Sequence, residues 1–273
     1  MNPSLNAKNN KLGCQHCSSR VGSAFKEEIT MAFQPIFDLQ TGAVFAQEAL
    51  VRGKDGRGAG EIFSHVTDHN RYQFDQRCRT TAIEVATEAG LQGALSINFM
   101  PNAVYEPRHC ITHTLWAADK CNFDIGNLIF EFTECEPMRD IQHIKNIVAT
   151  YKQFGFRTAI DDFGAGYAGL TLLADVIPDL IKLDRGLVTN IDKDPGRQSI
   201  VASITALCGD LGIEVIAEGI ETADEFAQLR DLGIQYIQGY YLARPQFEQL
   251  QTEPNIPFLA LKAETDPTHE ILR

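Results

Sequence analysis

Glu48, Asn98, Glu131, Asp161, Lys182, Glu218 and Gln238 each stop a short apolar run of β type, in VFAQEAL, ALSIN, LIFEF, RTAID, LIKLD, EVIAE and YIQG. Carboxylates, amides and one ammonium that recur at the same place on successive runs point to one shared site. Asp162 adds a further acid beside Asp161, in Asp161-Asp162-Phe163-Gly164-Ala165-Gly166-Tyr167. Side chains alternate along a strand, so both acids of this pair can reach one site only where regular strand geometry ends. Oxygen donors with no histidine among them suit Mg²⁺ or Mn²⁺ and disfavour zinc. Room for two such cations points to hydrolysis in which both metals grip the attacking and leaving oxygens of a phosphate ester.

Lys182 and Asp184 are two residues apart and share a strand face. A lysine among carboxylates keeps its proton and can orient a water or steady developing negative charge. Arg52, four residues beyond Glu48, offers a planar fork for a phosphate. Each residue has a structural alternative when taken singly: a capped turn for the acid pair, an ion pair inside the fold for Lys182, a surface salt bridge for Arg52. A barrel enzyme of enolase type, with a lysine base and acids around one Mg²⁺, fits loosely but leaves Glu48, Asn98 and the DDFGAGY loop without a role.

To bring these residues together the chain must alternate strand and helix, with parallel strands whose ends meet at one face. Helices are expected over 61–88, 111–119, 140–154, 197–211 and 223–232, with Gly155, Gly212 and Gly233 where C-caps belong. Runs at 32–39 and 44–51, joined by Gln40-Thr41-Gly42, read as a hairpin, which makes the first strand antiparallel to the second. A closed eight-stranded β/α barrel takes roughly 250 residues and would use nearly all of the 273 present. The expected divisions are a leader over 1–24, a barrel over 25–251 and an extension over 252–273.

A formal charge of −12 argues against a nucleic-acid polymer as partner. No apolar stretch approaches the ~20 residues that span a bilayer, and the seven cysteines are an odd, scattered set. Both fit a soluble cytoplasmic protein. Cys14 and Cys17 have the spacing of a zinc or redox pair, but no second C-x-x-C supplies further ligands, which favours a plain tail.

The motifs FQPI, EALVR, SIN, EFTE, DDFGAGY, KLD, AEGIET and QGYYLARP stand in this order from about Phe25 to Leu250. In this the chain resembles the EAL-domain phosphodiesterases, which hydrolyse cyclic di-GMP to linear pGpG. The resemblance implies a TIM-like (β/α)8 barrel, α/β in class, with one antiparallel strand from the N-terminal hairpin. It implies that Glu48, Asn98, Glu131 and Asp161 hold one metal, and that Asp161 bridges to a second held with Asp162 and Glu218. Lys182 would position the attacking water, Gln238 would line the site near it, and Asp184 would support the second metal through water. Gln34 and Arg52 would contact the dinucleotide, with Glu134 and Glu221 standing behind the ligands and Glu134 holding the loop after the acid pair. Ca²⁺ would bind in place of Mg²⁺ or Mn²⁺ and inhibit.

That loop carries Ala165, Ala168 and Gly169 where the family pattern has Thr, Ser and Ser. In the family it couples the metals to a dimer interface, so the departure bears on regulation and rate. Since only the short leader precedes the barrel in this sequence, control is expected from homodimerisation, a regulatory protein, or the Cys14 and Cys17 pair. The complete ligand set argues against a catalytically silent cyclic di-GMP receptor or protein-interaction module on the same fold.

Overall fold

The computed structural model describes residues 24–133, 140–166 and 169–254. Cys14, Cys17, Glu134 and Ala168 lie outside the described residues, as does the extension from position 255 onward. The N-terminal hairpin forms from β1 (Ile29–Asp38) and β2 (Val44–Gly53), paired antiparallel. Asp38 organises its turn, accepting hydrogen bonds from the Gln40 amide and the Thr41 hydroxyl, each at 2.9 Å.

Next come β3 (Ala94–Asn98), β4 (Leu128–Thr133), β5 (Arg157–Phe163), β6 (Leu180–Leu183), β7 (Glu214–Ala217) and β8 (Tyr236–Ile237). They pair parallel in chain order from β2 to β8, and β1 closes the barrel by pairing antiparallel with both β2 and β8. A short β9 (Gln246–Phe247) lies outside the closed barrel, paired with β1 at Ala32 and Phe33. Closure removes the edges that an open sheet would expose.

Between the strands run α1 (Ala59–Ser64), α2 (Arg71–Glu88), α3 (Pro107–Cys110), α4 (Thr112–Lys120), α5 (Ile141–Phe154), α6 (Gly169–Asp175), α7 (Arg185–Val188), α8 (Pro195–Leu211) and α9 (Ala223–Asp231). Asp140 caps α5 at the Gln142 amide, and Asp194 caps α8 at the amides of Gly196 and Arg197. Thr222 and Glu225 form a reciprocal capping box at the start of α9. Gly155, Gly212 and Gly233 take left-handed φ of 90°, 70° and 81° where their helices end.

The single helix expected over 61–88 is two helices, α1 and α2. The Asn70 side chain accepts from the Thr67 amide at 2.7 Å and donates to the His65 carbonyl at 3.0 Å, closing a turn that breaks the helical path.

The main core lies between the helices and the outer faces of the strands, while a smaller apolar cluster fills the barrel floor. That floor is Ile36, Ala46, Ile129, Ala159, Leu180, Ile216 and Tyr236. Two residues further along the parallel strands, on the same inward face, stand Glu48, Glu131, Asp161, Lys182, Glu218 and Gln238. On β1, which runs the other way, Gln34 lies two residues before Ile36 and opposite Glu48. The alternation that builds the apolar plug therefore places a polar layer directly above it.

Candidate active site

Each strand delivers its side chain to this layer in its own way. The β2 run does not stop on Glu48, as the sequence suggested. β2 continues to Gly53 because β1 pairs with it as far as Ile29, while the β3 pairing ends at Ala49 with Ile97. Asn98 ends β3, and Glu218 and Gln238 directly follow β7 and β8. Glu131 and Asp161 lie inside their strands.

The Asp161–Asp162 pair reaches one site through a break in strand geometry. The β5–β6 register shifts between Ile160 and Phe163, and Asp162 takes a left-handed φ of 55°. For a residue other than glycine that conformation is costly, and it persists only where its surroundings enforce it. It turns Asp162 toward the same side as Asp161: Asp161, Asp162 and Glu218 each offer an oxygen within 4.8 Å of the others.

Lys182 is the hub. Its ammonium lies 2.8 Å from Glu131 Oε2, 2.5 Å from Glu218 Oε1, and 3.3 Å from both Glu48 Oε2 and Asp161 Oδ1, with 1% of its side chain exposed. Asn98 donates to Glu48 Oε1 at 3.0 Å and Gln238 to Glu48 Oε2 at 2.9 Å. Burial opposes the charge on Lys182, but Asp161, Glu131, Glu218 and Glu48 outweigh it and hold its proton well above the usual lysine range. Burial likewise works against Glu48, yet Lys182 and the Gln238 and Asn98 amides keep its carboxyl below the usual range.

The other acids are driven upward. Burial raises Glu131 to about 8 and also lifts Asp161 and Glu218, against the opposing pull of Lys182. Burial and the neighbouring charge of Asp161 raise Asp162 to about 6, with Asp184 adding to the push. The group is thus short of positive charge. Among the described residues, the buried Asp161 Oδ1 and Glu218 Oε1 have the Lys182 ammonium, which they share with Glu48 and Glu131, as their one side-chain partner. Hard oxygen donors and negative charge in excess of the one ammonium fit divalent cations.

The remaining candidate residues sit around this group. Gln34 donates to the Ala243 carbonyl at 3.1 Å, which ties β1 to the segment after β8. Arg52 is half-buried further along β2 and donates to the Val51 carbonyl at 2.7 Å. Asp184 caps α7 by accepting from the Gly186 amide at 2.7 Å. Glu221 is exposed and pairs with Arg185 at 2.9 Å, outside the Lys182 cluster. Ser96 is an addition to the residues read from the sequence. It is fully buried and donates a short hydrogen bond to Glu131 Oε1, leaving Oε2 for Lys182. The signal was its place two residues before Asn98, on the same strand face.

Beside Glu48, Asn98 and Asp161 opens a cleft of about 740 Å³, lined on its apolar side by Leu50, Phe63, Val66, Phe74 and Met100. One wall is polar and ligand-rich, the other fit for a flat apolar surface.

Comparison with known proteins places this geometry among relatives. A standalone versatile EAL protein from Vibrio cholerae O395, solved bound to cyclic di-GMP, is 50% identical, with a TM-score of 0.83 over 86% of this chain and 98% of that one. BlrP1 of Klebsiella pneumoniae, solved in manganese and calcium complexes with cyclic di-GMP, is 32% identical, with TM-scores of 0.77 and 0.79. These cover 82% and 84% of this chain and 57% and 58% of BlrP1. The cyclic di-GMP phosphodiesterase PA2567 of Pseudomonas aeruginosa is 30% identical over 235 residues, 83% of this chain and 40% of that protein. The chain spans about half or less of the length of such curated relatives. The family model for the EAL domain matches residues 20–245. With that match over most of its length, on a barrel whose mouth gathers four acids around one lysine, the chain belongs to the EAL domain family.

Proposed function

We propose that this chain hydrolyses cyclic di-GMP to linear 5′-pGpG with two divalent cations, Mg²⁺ or Mn²⁺. The observation that carries the reading is the cluster around Lys182, in which four buried or half-buried carboxylates share one ammonium and so outnumber it. Relatives named cyclic di-GMP phosphodiesterases, or solved with that dinucleotide and with manganese or calcium, support it.

Glu48, Asn98, Glu131 and Asp161 would hold one cation, and Asp161, Asp162 and Glu218 the other. Bound cations would supply Lewis acidity to phosphate oxygens and a more acidic water. In the balanced reaction a water oxygen bonds to phosphorus, the bond from phosphorus to a ribose 3′ oxygen breaks, and the water's proton ends on that oxygen. Lys182, locked as the ammonium, holds a donor at the floor of the site, where it can orient the water and steady charge. Glu48 links that donor to Gln238, so one carboxylate fixes both. Gln34 and Arg52 would contact the dinucleotide, and Asp184 would act beside Asp162.

A homodimer and a cytoplasmic location are part of the same reading. Ile200, Leu207 and Leu211 are exposed at helical spacing along α8, an apolar line suited to a second copy. Among the described residues Cys78, Cys110 and Cys208 are buried free thiols, and no helix is long and apolar enough to cross a membrane.

Product analysis tests the proposal. Pure protein with cyclic di-GMP should form pGpG with Mg²⁺ or Mn²⁺, and none with Ca²⁺ or a chelator. Tight binding with no turnover in either Mg²⁺ or Mn²⁺ would replace an enzyme by a receptor.

A further inference from the structure

Beneath the cleft, Asp75, Arg79 and Tyr151 form a charged network that the proposed reaction does not use. Asp75 and Arg79 stand four residues apart on α2, both buried, with Arg79 NH2 2.8 Å from Asp75 Oδ2. Arg79 NH1 donates to the Tyr151 hydroxyl on α5 at 2.7 Å. The other Asp75 oxygen accepts the Met100 amide at 2.9 Å, and the Arg79 guanidinium lies 5.1 Å from the centre of the Phe99 ring. Phe99 and Met100 directly follow Asn98, and the Phe99 amide donates to the Glu131 carbonyl at 2.9 Å. The network therefore grips both residues through which the chain leaves the Asn98 position.

Stability alone is a weak reason for such an arrangement. Desolvating two charges costs about as much as their attraction returns, and apolar residues of similar volume often serve as well. Arg79 Nε has no hydrogen-bond partner among the described residues, so the pair is not even fully satisfied. What it does supply is direction: a fixed acceptor at Asp75 decides where the segment after β3 runs. Asn98 is the neutral member of the proposed ligand set. An amide is drawn to a cation less strongly than a carboxylate, so its contribution depends on being held in place beforehand.

We propose that Asp75, held by Arg79 and Tyr151, is a positioning residue that presets Asn98 and so sets the affinity of the cation position shared with Glu48; this rests on the metal-dependent reading above. The test compares two double variants of the full chain. Asp75→Val with Arg79→Met removes both charges and the acceptor for Met100, while Asp75→Asn with Arg79→Met removes the charges and keeps an acceptor. Calorimetric titration with Mn²⁺ should show affinity about tenfold weaker in the valine pair, the effect expected of a group that orients a ligand. The asparagine pair should restore it to within about threefold, both pairs being titrated at a temperature where they are folded.

Parental Mn²⁺ affinity in the valine pair, or no restoration by the asparagine pair, overturns the proposal. If the doubles do not fold, Tyr151→Phe carries the test at a temperature where it is folded: Mn²⁺ affinity two- to threefold weaker is expected, and unchanged affinity overturns it. Asn98→Ala separates the layers of the argument. If it leaves Mn²⁺ binding unchanged, the metal assignment falls and the positioning role with it. Sensitivity to Asn98 with indifference to Asp75 overturns the positioning role alone.

Discussion

Replacing Lys182 by methionine keeps a chain of similar length and deletes the one ammonium that four carboxylates share at 2.5 to 3.3 Å. Removing one partner of a buried pair costs roughly 3 to 5 kcal/mol, because the other charge is left uncompensated. Here the acids can answer by taking up protons, since Glu131 already stands at about 8 with the lysine present. The cost therefore falls at the lower end, about 3 kcal/mol at pH 8 without metal. For a domain of this size that is a drop of about 6 to 12 °C in melting temperature. At pH 6, where the acids protonate readily, the drop should shrink. Saturating Mn²⁺ restores positive charge beside the same oxygens, so its stabilising effect should be larger in the variant than in the parent. Turnover should nonetheless stay about 10² to 10⁴ lower, the span typical for a lost proton donor or charge-stabilising group. Calorimetry at pH 6 and pH 8, with chelator or Mn²⁺, and chromatography of the nucleotide product measure all four quantities. A variant as stable as the parent at pH 8 without metal refutes the electrostatics. Recovery of turnover together with stability in Mn²⁺ refutes the role of Lys182.

The metal-free parent should lose stability as pH rises from about 5 to 8. Burial pushes Glu131 up to about 8 in the folded chain from an ordinary 4.5, so its contribution is complete below 4.5 and lost as pH climbs through 8. Asp162, at about 6 against 3.8, acts in the same sense. Thermal melts in chelator across this range check the slope, and a rise with pH would contradict it. Ile200→Lys with Leu207→Lys should halve the mass seen by sedimentation while leaving the melting temperature within a few degrees, because both side chains are exposed. A mass unchanged by the substitutions would remove α8 as the dimer contact. Gly164→Ala should cost about 1 to 3 kcal/mol, since Gly164 has φ of 100° and a Cβ there would stand 2.6 Å from Leu187 Cδ1. A melting temperature unchanged by the alanine would contradict the close packing of Gly164 on Leu187.

Most residues of the candidate site were legible because strands carry information at a period of two residues, and each motif lies on one strand or at its end. Glu131, Asp161, Lys182 and Gln238 needed no long-range knowledge beyond the assumption that parallel strands share a mouth. The helix break at Asn70 was hidden, since it depends on hydrogen bonds from one side chain to Thr67 and His65 rather than on apolar spacing. Ser96 was overlooked for a different reason: a buried serine and an exposed one look alike until a partner such as Glu131 is placed beside it.

The sequence by itself determined the list of candidate ligating side chains, the hairpin that reverses β1, and the family resemblance, because residue types, turn residues and motif order are local properties. Only the tertiary structure decided depth and company. Barrel stagger put Glu48 in the middle of β2 instead of at its end, and the register shift with the left-handed Asp162 turned adjacent acids into one site. Closure gathered four carboxylates on Lys182 and left their charge uncompensated. It also joined Asp75, Arg79 and Tyr151, residues from two helices, under the segment that follows Asn98. The contacts of Arg79 with Tyr151 and of Lys182 with its acids arise from chain closure over long separations, which no local pattern encodes.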